Sequence, residues 1–501
     1  MTYCTPYLLE LGLTKSRVSL VWLAGPLSGL IMQPLVGALA DRSRSPWGRR
    51  RPFMIGGTVI VIFSLILLGW TRQIMSVVVF DSAMEKDVTI AAAVLAIYGI
   101  DFAINAVQAS SRSLIVDTLP ASKQQMGSAW ASRMVAVGHL LGYAIGSLDL
   151  AKVFGTVLGD SQFKQMVMVS AMMLLGSVGL TCWGVTEKPL LANGSSDDDG
   201  MGAIEMVTHI LKTMRHLPPR IAVICWVQFW SWIGWFPFLF YTSTWLGEIW
   251  LRYNVRDDVR EHPDTLGEIG RVGSLTLVAF STVTFVSSVA LPWLVRSPDS
   301  DESGYTPRPP VQLEKVARMF ESRRPDLLGV WATSHLMFAV AMCMAPFITS
   351  LGMATVIVGV CGVPWALQCW APFTFMGIEI NRMSKLENEK DSFRDKNDPE
   401  STGIPSRSTV DAGENGPGEL TGVYLGILNI FTTLPQFLGT FLSWIVFSIL
   451  EPGKSPELDK QAGPDEQNST DGPNAIAVCL FIGGLAAFGA AHMTRRLRRV
   501  D

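Results

Sequence analysis

One stretch decides the fold of this chain: Gly37-Ala-Leu-Ala-Asp41-Arg42-Ser-Arg44-Ser-Pro-Trp-Gly48-Arg49-Arg50-Arg51-Pro52. It lies between residues 18–40 and 52–71, which contain no Asp, Glu, Lys or Arg. Each flanking run is long enough to cross about 30 Å of hydrocarbon as a helix, which takes roughly 20 residues. Five arginines in a short link between two spans are retained in the cytoplasm. The stretch therefore predicts a membrane protein and its orientation.

Apolar runs of this kind recur along the whole chain. Only 17% of the residues are charged, whereas about a quarter are charged in a typical soluble domain. The runs predict eleven membrane spans, because the longest of them has room for two helices with a turn near Ser350: 18–40, 52–71, 88–110, 130–148, 165–186, 221–247, 272–295, 327–378, 420–450 and 472–494. The seven cysteines show no spacing typical of a metal site, so we expect no metal and no cofactor.

The distribution of Lys and Arg tests the predicted orientation. With the arginine-rich link inside, 27 of these residues fall on the cytoplasmic side and 12 on the outer side. Such a bias is typical of the cytoplasmic loops of membrane proteins. It predicts a cytoplasmic tail at residues 495–501.

Long polar loops divide the chain into parts. They predict an N-terminal helix bundle at 1–186, a central cytoplasmic loop at 187–220, a C-terminal bundle at 221–494 and, within the second bundle, disordered loops at 379–419 and 451–473. Two packed bundles of this kind hold their substrate site between them.

A polar stripe on the predicted helix at 88–110 is the strongest candidate for a functional site. At about 100° per residue, Asp101, Asn105, Gln108 and Arg112 fall within an arc of about 60°. A carboxylate within a span is costly, and such groups usually face a cavity and perform a function. The alternative is a structural ion pair or a polar contact between helices.

Aromatic and amide groups cluster in the span at 221–247. Trp232 and Gln228 are the residues we expect at a substrate cavity, because indole rings stack on C–H groups and amides bind hydroxyls. The alternative is contact of these indoles with lipid or the membrane interface.

Several segments resemble the sucrose transporters, the glycoside–pentoside–hexuronide branch of the major facilitator superfamily, and the set is closer to its fungal members. Besides the arginine-rich link, they are Thr5-Pro-Tyr-Leu-Leu-Glu-Leu-Gly12, Trp22-Leu-Ala-Gly-Pro-Leu-Ser-Gly29, Val137-Gly-His-Leu-Leu-Gly-Tyr143, Trp232-Ile-Gly-Trp-Phe-Pro-Phe238 and Gly422-Val-Tyr-Leu-Gly-Ile-Leu-Asn429. The resemblance implies an all-α membrane protein with two pseudo-symmetric six-helix bundles. It also implies that the first helix is largely missing here, because the Thr5 segment closes that helix in the family.

The resemblance assigns roles to individual residues. Asp101 and Arg112 match the proton-coupling aspartate and its charged companion, and Asp101 would also contact sugar hydroxyls. The arginine-rich link matches a gating motif, here Gly37, Asp41, Arg42, Gly48, Arg49 and Arg50. Asp41 is expected to pair with Arg49 or Arg50; the alternative role of the link is to set topology alone.

These features lead to a functional prediction. We expect a proton-coupled symporter, and no enzyme, that imports a disaccharide (sucrose, maltose or both) through the plasma membrane by alternating access. Its partners would be the sugar, protons and lipid, with no nucleic acid. Two alternatives remain: a sugar sensor that does not transport, and an inactive truncated product.

Overall fold

The computed structural model describes residues 3–187 apart from 42, 44, 80 and 120, together with 208, 212–254, 265–296, 324–397, 417–453 and 474–500. Within these ranges the protein is helical and contains no β-strand. We number the helices α1 (Cys4–Glu10), α2 (Lys15–Val21), α3 (Ala24–Asp41), α4 (Arg51–Gly69), α5 (Thr71–Val78), α6 (Ser82–Thr118), α7 (Ala121–Ser147), α8 (Leu150–Phe154), α9 (Gln162–Gly184), α10 (Pro219–Ile249), α11 (Thr265–Leu294), α12 (Leu327–Cys343), α13 (Leu351–Val360), α14 (Gly362–Asn397), α15 (Pro417–Leu450) and α16 (Ala475–Leu497). A π-helical turn, Trp250–Asn254, follows α10, and a short 3-10 helix, Ala345–Phe347, follows α12.

Each of the eleven predicted spans coincides with a helix, if α2 with α3, and α13 with α14, are each counted as one crossing. By length and composition, nine segments of the described chain are able to cross a membrane. The two predicted spans not among them are α3 and α7. The expected turn near Ser350 is confirmed, because Ser350 precedes the first residue of α13.

Local sequence signals explain where several helices begin. The side chains of Thr14, Ser161, Asp326 and Asn474 each accept a hydrogen bond from a backbone N–H in the first turn of α2, α9, α12 and α16 respectively. Such caps satisfy backbone donors that have no partner within the helix. Pro219 lies at the start of α10, where its missing N–H costs nothing.

The disordered loop expected at residues 379–419 is wrong over its first part, because α14 continues through the charged segment to Asn397. A run of charge ends a membrane span, but it does not end a helix when Gly and Pro are absent. Residues 398–416 and 454–473 lie outside the described residues.

Three apolar cores show how the two halves of the chain meet. We call α1–α9 the N-half and α10–α16 the C-half. The largest core joins Trp22, Ile97 and Phe163 of the N-half with Trp235 and Phe280 of the C-half. It lies on the face opposite the arginine-rich link, because it contains the residues near the start of α2 and the end of α10.

The other two cores lie towards the arginine-rich link, and each belongs to one half. One contains Ile221 and Trp331 of the C-half, and the other contains Met54 and Leu114 of the N-half. In the described chain, the halves therefore share an apolar core on one face only. On the other face, no apolar core of the described residues fills the boundary between the halves, and we expect a site there.

Candidate functional site

Asp101 lies in the middle of α6, on the side that packs against α3. A Cβ atom at Gly25 of α3 would lie 4.0 Å from Oδ2 of Asp101. That oxygen is buried and has no hydrogen-bond partner among the described residues. A buried acceptor without a partner is costly, and a proton or a hydrogen-bond donor from a ligand would remove that cost.

Asn105 continues the polar stripe one turn further along α6. Its Nδ2 donates to Oγ of Ser28 at 2.9 Å, and also to the carbonyl oxygen of Asp101 at 2.9 Å. A Cβ atom at Gly29 would lie 3.8 Å from Oδ1 of Asn105. The two glycines of α3 thus leave room for the two polar side chains of α6.

The boundary between the halves passes beside Asp101. The ring of Phe240 in α10 lies against Gly25 of α3, because a Cβ atom at Gly25 would be 3.7 Å from that ring. Phe240 also contacts the indole of Trp22, with the ring centroids 5.0 Å apart. The carboxylate is therefore placed where an N-half helix meets the first C-half helix.

The other two residues of the polar stripe, Gln108 and Arg112, lie further along α6 from Asp101. Gln108 and Arg112 are exposed in the described chain. Eleven residues of α-helix separate Asp101 from Arg112 by about 16 Å along the axis, so the structure does not bring the two charges together. The shared helix face of the two residues stays a prediction from helical spacing.

Gln228 and Trp232 occupy α10 in a buried polar network. Oε1 of Gln228 accepts from Nε1 of Trp232 at 3.2 Å and from Nε2 of Gln368 at 2.7 Å. Oγ of Ser231 donates to Oε1 of Gln368 at 3.0 Å. Gln228 is only 2% exposed, and its Nε2 has no partner among the described residues. The network therefore retains one donor for a hydroxyl group.

Sequence reasoning missed the part of this network that α14 contributes. Gln368 lies within the charge-free run at 327–378, where no charged neighbour marks it. Trp365 of the same helix contacts both Trp232 and Trp235, at centroid distances of 6.1 and 4.8 Å. A polar amide three residues after a tryptophan was the available signal.

The arginine-rich link is tied to the N-half by two acids that the sequence analysis did not select. Nε of Arg50 donates to Oδ2 of Asp117 at 2.9 Å, and Nη2 of Arg49 lies 3.6 Å from the same oxygen. The backbone N–H of Arg50 donates to both carboxylate oxygens of Glu187, at 2.8 and 3.0 Å. Gly48 has φ +105° and faces Glu187, where a side chain would collide.

The expected pairing of Asp41 with these arginines is not tested. Gly37 and Asp41 lie in the last part of α3, but the side chain of Asp41 and all of Arg42 lie outside the described residues. Among the described residues, the side chains of Arg49 and Arg50 both contact Oδ2 of Asp117.

Comparison with known proteins places the whole chain in one family. Residues 1–244 match the family described as MFS/sugar transport protein. The chain is 30% identical to the general alpha-glucoside permease of Schizosaccharomyces pombe, over 100% of this chain and 90% of the relative. It is 26% identical to sucrose transport protein SUC4 of Arabidopsis thaliana, over 99% of this chain and 87% of the relative.

A solved structure shares the fold. The nucleoside transporter NupG superposes with a TM-score of 0.55 at 10% identity, over 99% of this chain and 94% of that chain. The first two relatives are a permease and a transport protein, and the structural neighbour is a transporter. With nine segments able to cross a bilayer in the described chain, this protein is a multi-pass membrane protein. The chain belongs to the MFS/sugar transport protein family, as a fungal-like member of the sucrose transporter branch of the major facilitator superfamily, with the all-α fold of that superfamily.

Proposed function

We propose that this protein is a proton-coupled symporter that imports an α-linked disaccharide, sucrose or maltose, through the plasma membrane by alternating access. The observation that carries the proposal is the buried Oδ2 of Asp101, which has no partner among the described residues and lies beside the boundary between the halves. The names of the two relatives, an alpha-glucoside permease and a sucrose transport protein, support the substrate class.

The chemistry assigned to Asp101 is proton binding. A carboxylate within a span favours its protonated form, because the low dielectric penalises the charge. When the site opens outward, Asp101 takes a proton, and the neutral acid then donates to a sugar hydroxyl. When the site opens inward, the proton leaves. The membrane potential supplies roughly 2.3 kcal/mol per charge for each 100 mV.

The sugar would lie between the stripe on α6 and the network on α10. Asn105 offers an amide oxygen, because its Nδ2 is already bonded to Ser28. Gln228 offers its unpartnered Nε2, and Trp232 offers an indole face. An acceptor and a donor on opposite halves suit a sugar, whose hydroxyls do both. Arg112, on the same helix as Asp101, would assist proton release on the arginine-rich side.

The proposal is tested by uptake into membrane vesicles at an imposed pH gradient. Wild-type protein is expected to accumulate radiolabelled maltose or sucrose above the equilibrium level when the outside is acidic. Asp101→Asn should abolish that accumulation while it preserves exchange of labelled for unlabelled sugar, since the amide keeps the shape but binds no proton.

Asp160→Asn is the matched control. Asp160 is an acid outside the spans that pairs with Lys164 at 2.6 Å, and its loss should leave accumulation unchanged. Accumulation by Asp101→Asn at the wild-type level would contradict the proposed role. Binding without exchange in the wild type would contradict transport itself.

A further inference from the structure

A buried ion cluster joins the two halves on the face opposite the arginine-rich link. Lys15, at the start of α2, is only 6% exposed. Its Nζ contacts the carboxylates of Glu248, near the end of α10, and of Glu451, directly after α15. One cation of the N-half is thus enclosed by two anions of the C-half.

Both carboxylates are also held from within their own half. Nδ2 of Asn474 donates to Oε2 of Glu248 at 2.8 Å. The backbone N–H of Ala475 donates to Oε1 of Glu451 at 2.9 Å, and Nη2 of Arg252 lies 3.8 Å from that oxygen. If the halves separate, the two acids keep these partners and Lys15 enters water. The cluster is therefore able to open while both acids remain hydrogen-bonded and Glu451 keeps Arg252 as a nearby cation.

We propose that Lys15, Glu248 and Glu451 form an ionic latch that holds the two halves together on this face and opens once in each transport cycle. The position supports this role, because the shared apolar core of the two halves lies beside the latch. Bistable contacts between rigid bodies are what alternating access requires. The inference rests on the alternating-access part of the proposed function, and not on the sugar or the driving ion.

A neighbouring pair of serines provides a direct reporter of the latch. Oγ of Ser16 in α2 and Oγ of Ser448 in α15 are 2.7 Å apart. Cysteines at these positions would bring two sulfur atoms across the boundary between the halves, close to the geometry of a disulfide. Their rate of oxidation measures how often this face is closed.

The experiment uses the full chain with Ser16→Cys and Ser448→Cys, and with a protease site placed at residues 193–200. After mild oxidation and cleavage, the halves separate on a denaturing gel unless the disulfide joins them. Each single-cysteine variant shows the background from native cysteines. The linked protein should lose transport and regain it on reduction; full transport while linked would contradict an opening of this face.

Lys15→Met added to the cysteine pair is expected to slow linkage by at least about fivefold, which is the lower end of typical coupling between sites. Lys15→Arg should restore the wild-type rate. Arg72→Met is the matched control, because Arg72 pairs with Glu10 within the N-half, with Nη1 and Oε1 3.2 Å apart, and this change should have no effect.

If the cysteine pair forms its disulfide as fast with Lys15→Met as without it, the proposed latch is wrong. If Lys15→Met fails to fold, Glu451→Gln provides the same test from the other half. Failure of the proposed function would appear differently: no variant would accumulate sugar, while the linkage rate would still depend on Lys15.

Discussion

Two buried glutamines of the C-half form the polar contact that links α10 to α14. Gln228 and Gln368 share a hydrogen bond of 2.7 Å, and both are at least 96% buried. Buried amides are retained only where their donors and acceptors are satisfied. Nε2 of Gln228 is the exception, because it has no partner among the described residues. A sugar hydroxyl would supply that partner.

Gln368→Ala is expected to raise the sugar concentration for half-maximal uptake by about tenfold, corresponding to the loss of about 1.4 kcal/mol, because Gln228 then loses its orientation. Ser231→Ala is the control: it removes one bond to Gln368 but leaves Gln228 bonded to it. Initial rates across a range of sugar concentrations measure both effects. An unchanged half-saturation value for Gln368→Ala would assign the network to stability alone.

At the residue scale, the sequence indicates part of the candidate site. Asp101 and Asn105 were predictable, because they lie one helical turn apart within an otherwise apolar helix. The partnership of Arg50 with Asp117 was not predictable, since the two lie 67 residues apart in the chain and charge patterns do not specify long-range pairs. Gln368 was missed because it lies within the charge-free run at 327–378, where no charged neighbour marks it.

At the scale of elements, close helix packing depends on particular glycines. A Cβ atom at Gly234 of α10 would lie 2.6 Å from the carbonyl oxygen of Gly483 in α16, and 2.9 Å from the Phe338 ring. Backbone atoms at that distance have no room to move aside. A Cβ atom at Gly56 of α4, in contrast, would have no neighbouring atom within 4 Å.

Gly234→Ala is therefore expected to destabilise the protein by about 1–3 kcal/mol, the usual cost of overpacking. Gly56→Ala should leave stability unchanged or raise it by about 0.5–1 kcal/mol, because alanine favours a helix. Thermal unfolding of detergent-solubilised protein measures both changes. Equal melting temperatures for the two variants would show that α10 and α16 are not in close contact.

The element boundaries show where sequence patterns succeed and where they fail. Charge-free runs locate spans, because the bilayer excludes charge. They do not locate helix ends, and α14 therefore continues beyond the predicted span to Asn397. The turn at Ser350 was predictable because a 52-residue charge-free run exceeds the length of one crossing.

At the scale of the whole molecule, a second ion pair joins the halves on the latch face. Nη1 of Arg271 in α11 lies 2.8 Å from Oδ2 of Asp149, which follows α7. Partial burial acts to raise the pKa of Asp149, but hydrogen bonds from Lys152 and the charge of Arg271 outweigh it and lower the pKa below its ordinary value. Asp149 therefore stays ionised at neutral pH.

The direction of this pKa shift determines how the pair of Asp149 and Arg271 responds to acid. A carboxylate with a lowered pKa contributes its stabilisation above the unfolded pKa and loses it only as the pH falls through the folded value. Between about pH 5 and about pH 7 the contribution is constant. Asp149→Asn should therefore leave the shape of the pH profile of uptake unaltered, whether the uptake rate falls or stays the same. A changed profile would make Asp149, rather than Asp101 alone, part of the proton response.

The most direct test of the central claim is the proton movement that accompanies sugar entry. In a weakly buffered suspension of de-energised cells that express the protein, adding maltose or sucrose should make the medium transiently alkaline. We predict that Asp101→Asn abolishes this alkalinisation while exchange of labelled sugar persists. Alkalinisation of the wild-type size in Asp101→Asn would contradict the claim that Asp101 couples protons to sugar.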